Sequence, residues 1–138
     1  MKFNERLKNF RERKGMTQAE LAKATDISTR MIQKYEAGDA RPRYDAAEKI
    51  ANALEVAITD LMGTADAFVS KAANEYGSRG AKQAEQLTEE VRGLFAGGKM
   101  APEDMDVMME AIQRAYWDAK SKNKEKYTPK KYRKGNDD

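Results

Sequence analysis

Between residues 28 and 34 this sequence sets hydrogen-bonding side chains of four chemical kinds close together. Ser28 and Thr29 bring hydroxyls, Arg30 a guanidinium, Gln33 an amide and Lys34 an ammonium. These groups recognise partners through hydrogen bonds and charge; they do not by themselves make or break covalent bonds. The rest of the chain offers little for catalysis. Its 138 residues include no His and no Cys. Metal binding and general-base catalysis therefore lose their commonest side chain, and thiol and disulfide chemistry are excluded. The carboxylates Glu103, Asp104 and Asp106 follow Pro102 and read as favourable charges at a helix N-terminus. No metal, no cofactor and no enzymatic activity are expected. No apolar run approaches the ~20 residues that a spanning helix needs, and no secretory signal opens the chain. The expectation is a soluble cytoplasmic protein with no membrane partner.

Charge is distributed unevenly. Residues 1–64 carry 12 Lys/Arg against 10 Asp/Glu, residues 65–119 carry 6 against 10, and residues 120–138 carry 8 against 3. Positive ends around an acidic middle suit a polyanionic partner.

Two short helices must position the polar set. Thr17-Gln18-Ala19-Glu20 is a full capping box, and Ser28 is a second N-cap before an apolar run. Gly38 stops the second helix by turning left-handed. Leu21, Ala22, Ile27, Ile32, Tyr35 and part of Met31 supply the inward side. Ala22 is small enough to let the two helices approach closely at a steep angle. Ser28, Thr29, Arg30, Gln33, Lys34 and Ala37 are left facing outward.

This segment resembles the helix-turn-helix of Xre/Cro-type repressors, over about Phe3 to Met62. The residues that carry the likeness are Leu7, Arg11, Gly15, the run Thr17 to Ala22, Ile27-Ser28, Ile32, Tyr35-Glu36, Gly38, Pro42, Leu54 and Leu61. Asp26 departs from the pattern, which often has Gly in the turn; Asp tolerates the left-handed region better than most residues. The resemblance implies an all-α, five-helix lambda-repressor-like domain that binds double-stranded DNA, its second motif helix entering the major groove. It places Thr29, Arg30 and Lys34 at base edges, with Ser28 and Gln33 on the same face. Arg30 suits guanine, whose O6 and N7 match its fork. Gln18 is the implied phosphate contact, with Thr17 beside it, and Arg41 and Arg43, flanking Pro42 in the loop after the second motif helix, are expected along the DNA backbone. Arg11 and Glu36 are the implied structural ion pair.

Around the motif, a first helix is expected over Asn4–Lys14, capped by Asn4, with further helices over Tyr44–Leu54 and Ile58–Met62. They close a domain at 1–64. The second half reads as helices over Ala65–Tyr76, 81–96 and Pro102–Lys122, with 77–80 as a break. Leu87, Val91, Leu94 and Phe95 face Met105, Met108, Met109, Ile112 and Tyr116 in a helical hairpin. Two short helices bury little alone, so residues 65–122 are expected to form a homodimerisation region. Methionine is also adaptable, and the cluster could instead hold a partner protein or peptide. Residues 123–138 form a basic tail in which Pro129 forbids a continuous helix. The order of motifs in this half is similar to tails on some Xre-type regulators of low-GC Gram-positive bacteria and their phages. The combined expectation is a transcriptional regulator, a homodimeric repressor on a palindromic operator. The alternative is an antitoxin-type module whose C-terminal helices bind another protein.

Overall fold

The computed structural model describes residues 2–98 and 101–127, without the side chains of residues 95, 102 and 123–127. Among the described residues there are helices and no strands. Two compact units divide at Gln83 and Ala84.

In the first unit, α1 (Phe3–Lys14) is followed by α2 (Gln18–Thr25), α3 (Thr29–Ala37), α4 (Tyr44–Leu54) and α5 (Ile58–Met62). The last two match the ranges read from the sequence. The start of α1 does not. Its N-cap is Lys2, which makes no side-chain capping bond, so the expected cap at Asn4 is corrected. Phe3 is the reason: its ring is buried in the core, which draws the residue into the helix. Asn4 then lies inside the first turn, where its side chain comes against Gly38.

The core of this unit joins Leu7 of α1, Leu21 and Ala22 of α2, Ile32 and Tyr35 of α3, Ala47, Ile50 and Leu54 of α4, and Leu61 of α5. Leu7, Leu21, Ile32, Ile50 and Leu61 are fully buried. Each such side chain contributes roughly 1.5–3 kcal/mol of hydrophobic stabilisation. Ala67, in the first turn of the next helix, joins the same cluster, three residues beyond the boundary expected at 64.

That helix, α6 (Thr64–Ala96), contains one non-helical residue, Gly77, at φ 70° and ψ −161°. The four-residue break expected at 77–80 is corrected to this single position. Helix resumes at Ser78, because one glycine in a region closed to other residues is enough to turn the chain. In the second unit, α7 (Pro102–Tyr127) runs past the expected end at Lys122. Its added residues, Asn123 to Tyr127, hold neither Gly nor Pro to stop it. Among the described residues of this unit, Ala84, Thr88, Val91, Met109 and Tyr116 are buried. Thr88 satisfies its hydroxyl by donating to the Ala84 carbonyl at 2.9 Å. Residues 128–138 of the expected basic tail lie outside the described residues.

Candidate nucleic-acid interface

The helix-turn-helix begins with its caps. The Thr17 hydroxyl accepts from the Glu20 N–H at 3.0 Å, and the Glu20 carboxylate accepts from the Thr17 N–H at 2.9 Å. That second bond, with the hydroxyl, holds the Glu20 carboxyl below its ordinary range. Asp26 closes α2 in the left-handed region at φ 59°, as its short polar side chain allows. Ser28 accepts from the Met31 N–H at 3.1 Å and starts α3. Gly38 ends α3 at φ 84°. The recognition helix is thus fixed in length at both ends by local chemistry.

Burial separates the two sides of α3. Ile32 and Tyr35 are buried, while Ser28, Arg30, Gln33, Lys34 and Ala37 are exposed. Thr29 is half-buried, less open than its expected outward position. The donor-bearing side chains of Arg30, Gln33 and Lys34 therefore share one solvent-facing strip on a helix whose other side is locked into the core, with Ser28 exposed at its N-cap. A helix presenting such a strip fits the major groove, where each base pair offers a distinct pattern of donors and acceptors.

A hydrogen-bonded cluster holds α3 against α1 and α2. Arg11 donates from Nε to Glu36 Oε2 at 2.6 Å and from Nη2 to Glu36 Oε1 at 2.9 Å. Its Nη1 donates to the Met16 carbonyl at 2.8 Å. Gln18 Nε2 donates to Glu36 Oε1 at 3.1 Å. The side chains of Arg11 and Glu36 are only 12% and 5% exposed. The fork-to-carboxylate geometry is the strong form of such a pair, and the bond to Glu36 raises the Arg11 guanidinium above its ordinary pKa. The place of Gln18 in this cluster was not readable from sequence; no spacing rule links residues 18 and 36. Glu36 takes one of its amide protons and orients the second.

The remaining phosphate candidates are dispersed. Thr17 is exposed but commits its hydroxyl to the cap. Arg41 is turned back onto the domain: its guanidinium lies 5.6 Å from the Phe3 ring centroid and 3.1 Å from the Asp66 carboxylate. That pair is half-exposed on both sides, a geometry that holds little energy and leaves Arg41 easily recruited. Arg43 is exposed at the N-cap of α4, beside Tyr44. Burial, with Glu48, Glu75 and Asp45 nearby, pushes the Tyr44 phenol up and keeps it a donor.

In the second unit the expected seam residues divide by exposure. Val91, Met109 and Tyr116 are buried within the single chain. Leu87, Met105, Met108 and Ile112 are half-buried, and Leu94 is 45% exposed. Val107, not singled out in the sequence, is 65% exposed. The Phe95 side chain lies outside the described residues. Among the described residues no group of His, Cys, Asp and Glu could hold a metal ion. No described helix is long and apolar enough to cross a membrane.

Comparison with known proteins agrees with this geometry. The Helix-turn-helix family profile matches residues 7–61. The immunity repressor protein of Bacillus phage phi105 is 31% identical over 146 aligned positions, covering 100% of this chain and 99% of that protein. The cryptic phage CTXphi transcriptional repressor RstR of Vibrio cholerae is 43% identical over 63 residues, 46% of this chain and 56% of its own length. No solved structure matches the chain significantly. With its capped motif, its exposed donor strip and a relative that aligns along the whole sequence, the chain belongs to the Xre/Cro-type helix-turn-helix transcriptional regulators.

Proposed function

We propose that the chain represses transcription by binding a palindromic DNA operator as a homodimer. The observation that carries this reading is the exposed strip of Arg30, Gln33 and Lys34, with Ser28 at its N-cap, on a helix whose opposite side is core. In this reading Arg30 contacts guanine, and Thr29, Gln33 and Lys34 contact neighbouring base edges or phosphates. Gln18 offers its second amide proton, together with the N-terminus of α2, to a phosphate oxygen. Thr17 contributes at the same helix end, and Arg41 and Arg43 track the backbone beside α3.

The second unit joins two copies. Leu87, Leu94, Met105, Met108 and Ile112 supply partly open apolar surface, and Val91, Met109 and Tyr116 support it from behind. Two copies then read half-sites about one helical turn apart. The protein acts in the cytoplasm, without cofactor and without enzymatic activity. Selection of bound fragments from a random DNA pool, followed by measurement of protein-to-DNA stoichiometry, tests the proposal. The expected result is an enriched inverted repeat holding two chains. A single chain on a non-repeated site refutes the dimer, and no enrichment refutes sequence reading. Co-purification of a second protein at one-to-one ratio, lost on replacing Val107 and Leu94, favours a protein-binding module instead.

A further inference from the structure

Arg41, one of the residues assigned above to the DNA backbone, is already held by an acid of its own chain. Its Nη2 donates to Asp66 Oδ2 at 3.1 Å, and its guanidinium lies 5.6 Å from the Phe3 ring centroid. Arg41, Asp66 and Phe3 all belong to the first unit. Asp66 sits in the first turn of α6, and the next residue, Ala67, is part of the core of that unit. Arg41 precedes Pro42, which is buried. A residue before proline is confined to extended backbone, so the main chain at 41 is fixed on the domain. What is left to move is the Arg41 side chain, 56% exposed, and that of Asp66, 52% exposed.

This arrangement sets up a competition between two anions. A carboxylate and a phosphate both hold a guanidinium through charge-assisted N–H···O bonds. Turned onto Asp66 and Phe3, Arg41 points its charge back at the domain, and its side chain must leave Asp66 to reach a phosphate. Asp66 tolerates that departure: an acid in the first turn of a helix is stabilised by the positive end of the helix dipole.

We propose that Asp66 is an intramolecular stand-in for a DNA phosphate, occupying Arg41 in the free protein and acting as a brake on DNA affinity until the side chain swings onto the backbone. The inference rests on the DNA reading above. Backbone contacts carry no sequence information, so the brake lowers affinity on every duplex by the same factor and leaves base preference alone.

The test titrates the full-length parent, Asp66→Asn, Arg41→Gln and the double variant onto one labelled duplex of arbitrary sequence, followed by fluorescence anisotropy at several salt concentrations. Asp66→Asn should bind about two- to fivefold tighter than the parent at low salt, the strength of a half-exposed ion pair. The advantage should shrink as added salt screens the pair. Arg41→Gln should bind more weakly than the parent, and adding Asp66→Asn to it should bring no further gain. Asp66→Ser should repeat the gain of Asp66→Asn, which guards against a folding defect particular to asparagine. A parent that binds while neither Asp66 variant gains affinity overturns the brake alone. An equal gain with and without Arg41 also overturns it, since loss of a negative charge near DNA then explains the whole effect. So does an Arg41→Gln chain that binds as tightly as the parent. A parent that binds no duplex overturns the DNA reading, and the brake with it.

Discussion

Replacing Arg11 with Met should be among the most damaging single changes in the first unit. The substitution keeps the side-chain volume and leaves Glu36, 5% exposed, facing an uncharged neighbour. Glu36 loses bonds at 2.6 and 2.9 Å and keeps only Gln18 at 3.1 Å. The Met16 carbonyl loses its 2.8 Å donor as well. Stranding one partner of a buried pair costs about 3–5 kcal/mol. Against a whole-domain stability of roughly 5–15 kcal/mol, that is a fifth or more of the total. For a unit of this size it corresponds to a melting temperature lower by roughly 12–40 °C. Urea and thermal unfolding followed by circular dichroism measure it directly. The double variant Arg11→Met, Glu36→Met should recover most of the loss, because the uncompensated charge is gone. The reasoning fails if Arg11→Met costs under about 1 kcal/mol, the range of an exposed pair. It also fails if the double variant is as unstable as the single one.

Three further outcomes are expected. Gln18→Ala should weaken binding to every DNA sequence by a similar factor with base preference unchanged; a change in preference places Gln18 in base readout. The Glu20 carboxyl is held below its ordinary range by Thr17, so its contribution is present above the unfolded value and fades as pH falls through the folded one. Glu20→Gln should therefore lower the melting temperature at neutral pH and flatten its decline below about pH 4.5; parallel melting curves for the two proteins across that window contradict the cap. A fragment of residues 1–83 should fold, since the first unit closes its own core, and should bind a single half-site weakly while losing tight binding to the full palindrome. Dimerisation of that fragment as strong as the whole chain's moves the seam into the first unit.

The first unit was largely legible because its signals are local. Thr17 with Glu20, Ser28 before Met31, and Gly38 announce helix ends through bonds spanning three or four residues. Asp26 sat in the left-handed region its chemistry permits. What escaped depended on distant parts of the chain. The cap expected at Asn4 failed because Phe3 is claimed by the core, a tertiary demand that overrides a local preference. Gln18 bonds Glu36, and Arg41 turns onto Phe3 and Asp66, through contacts with no signature in spacing. In the second unit, periodicity named the apolar faces without saying what covers them. Val91, Met109 and Tyr116 proved to be buried by their own chain, while Val107 stands open on α7. A helical stripe fixes which side is apolar; it does not separate a core from a seam between copies.

The central claim is that the exposed strip of α3 reads base sequence. The most direct measurement takes the selected operator and every single-base variant of it, and compares the affinities of the parent and Arg30→Ala at one fixed salt concentration. The account predicts a loss of about 1–3 kcal/mol on the operator, with discrimination erased at one base pair per half-site and kept elsewhere. A uniform loss across all variants, with discrimination intact at every position, would contradict it and make Arg30 a phosphate contact alone.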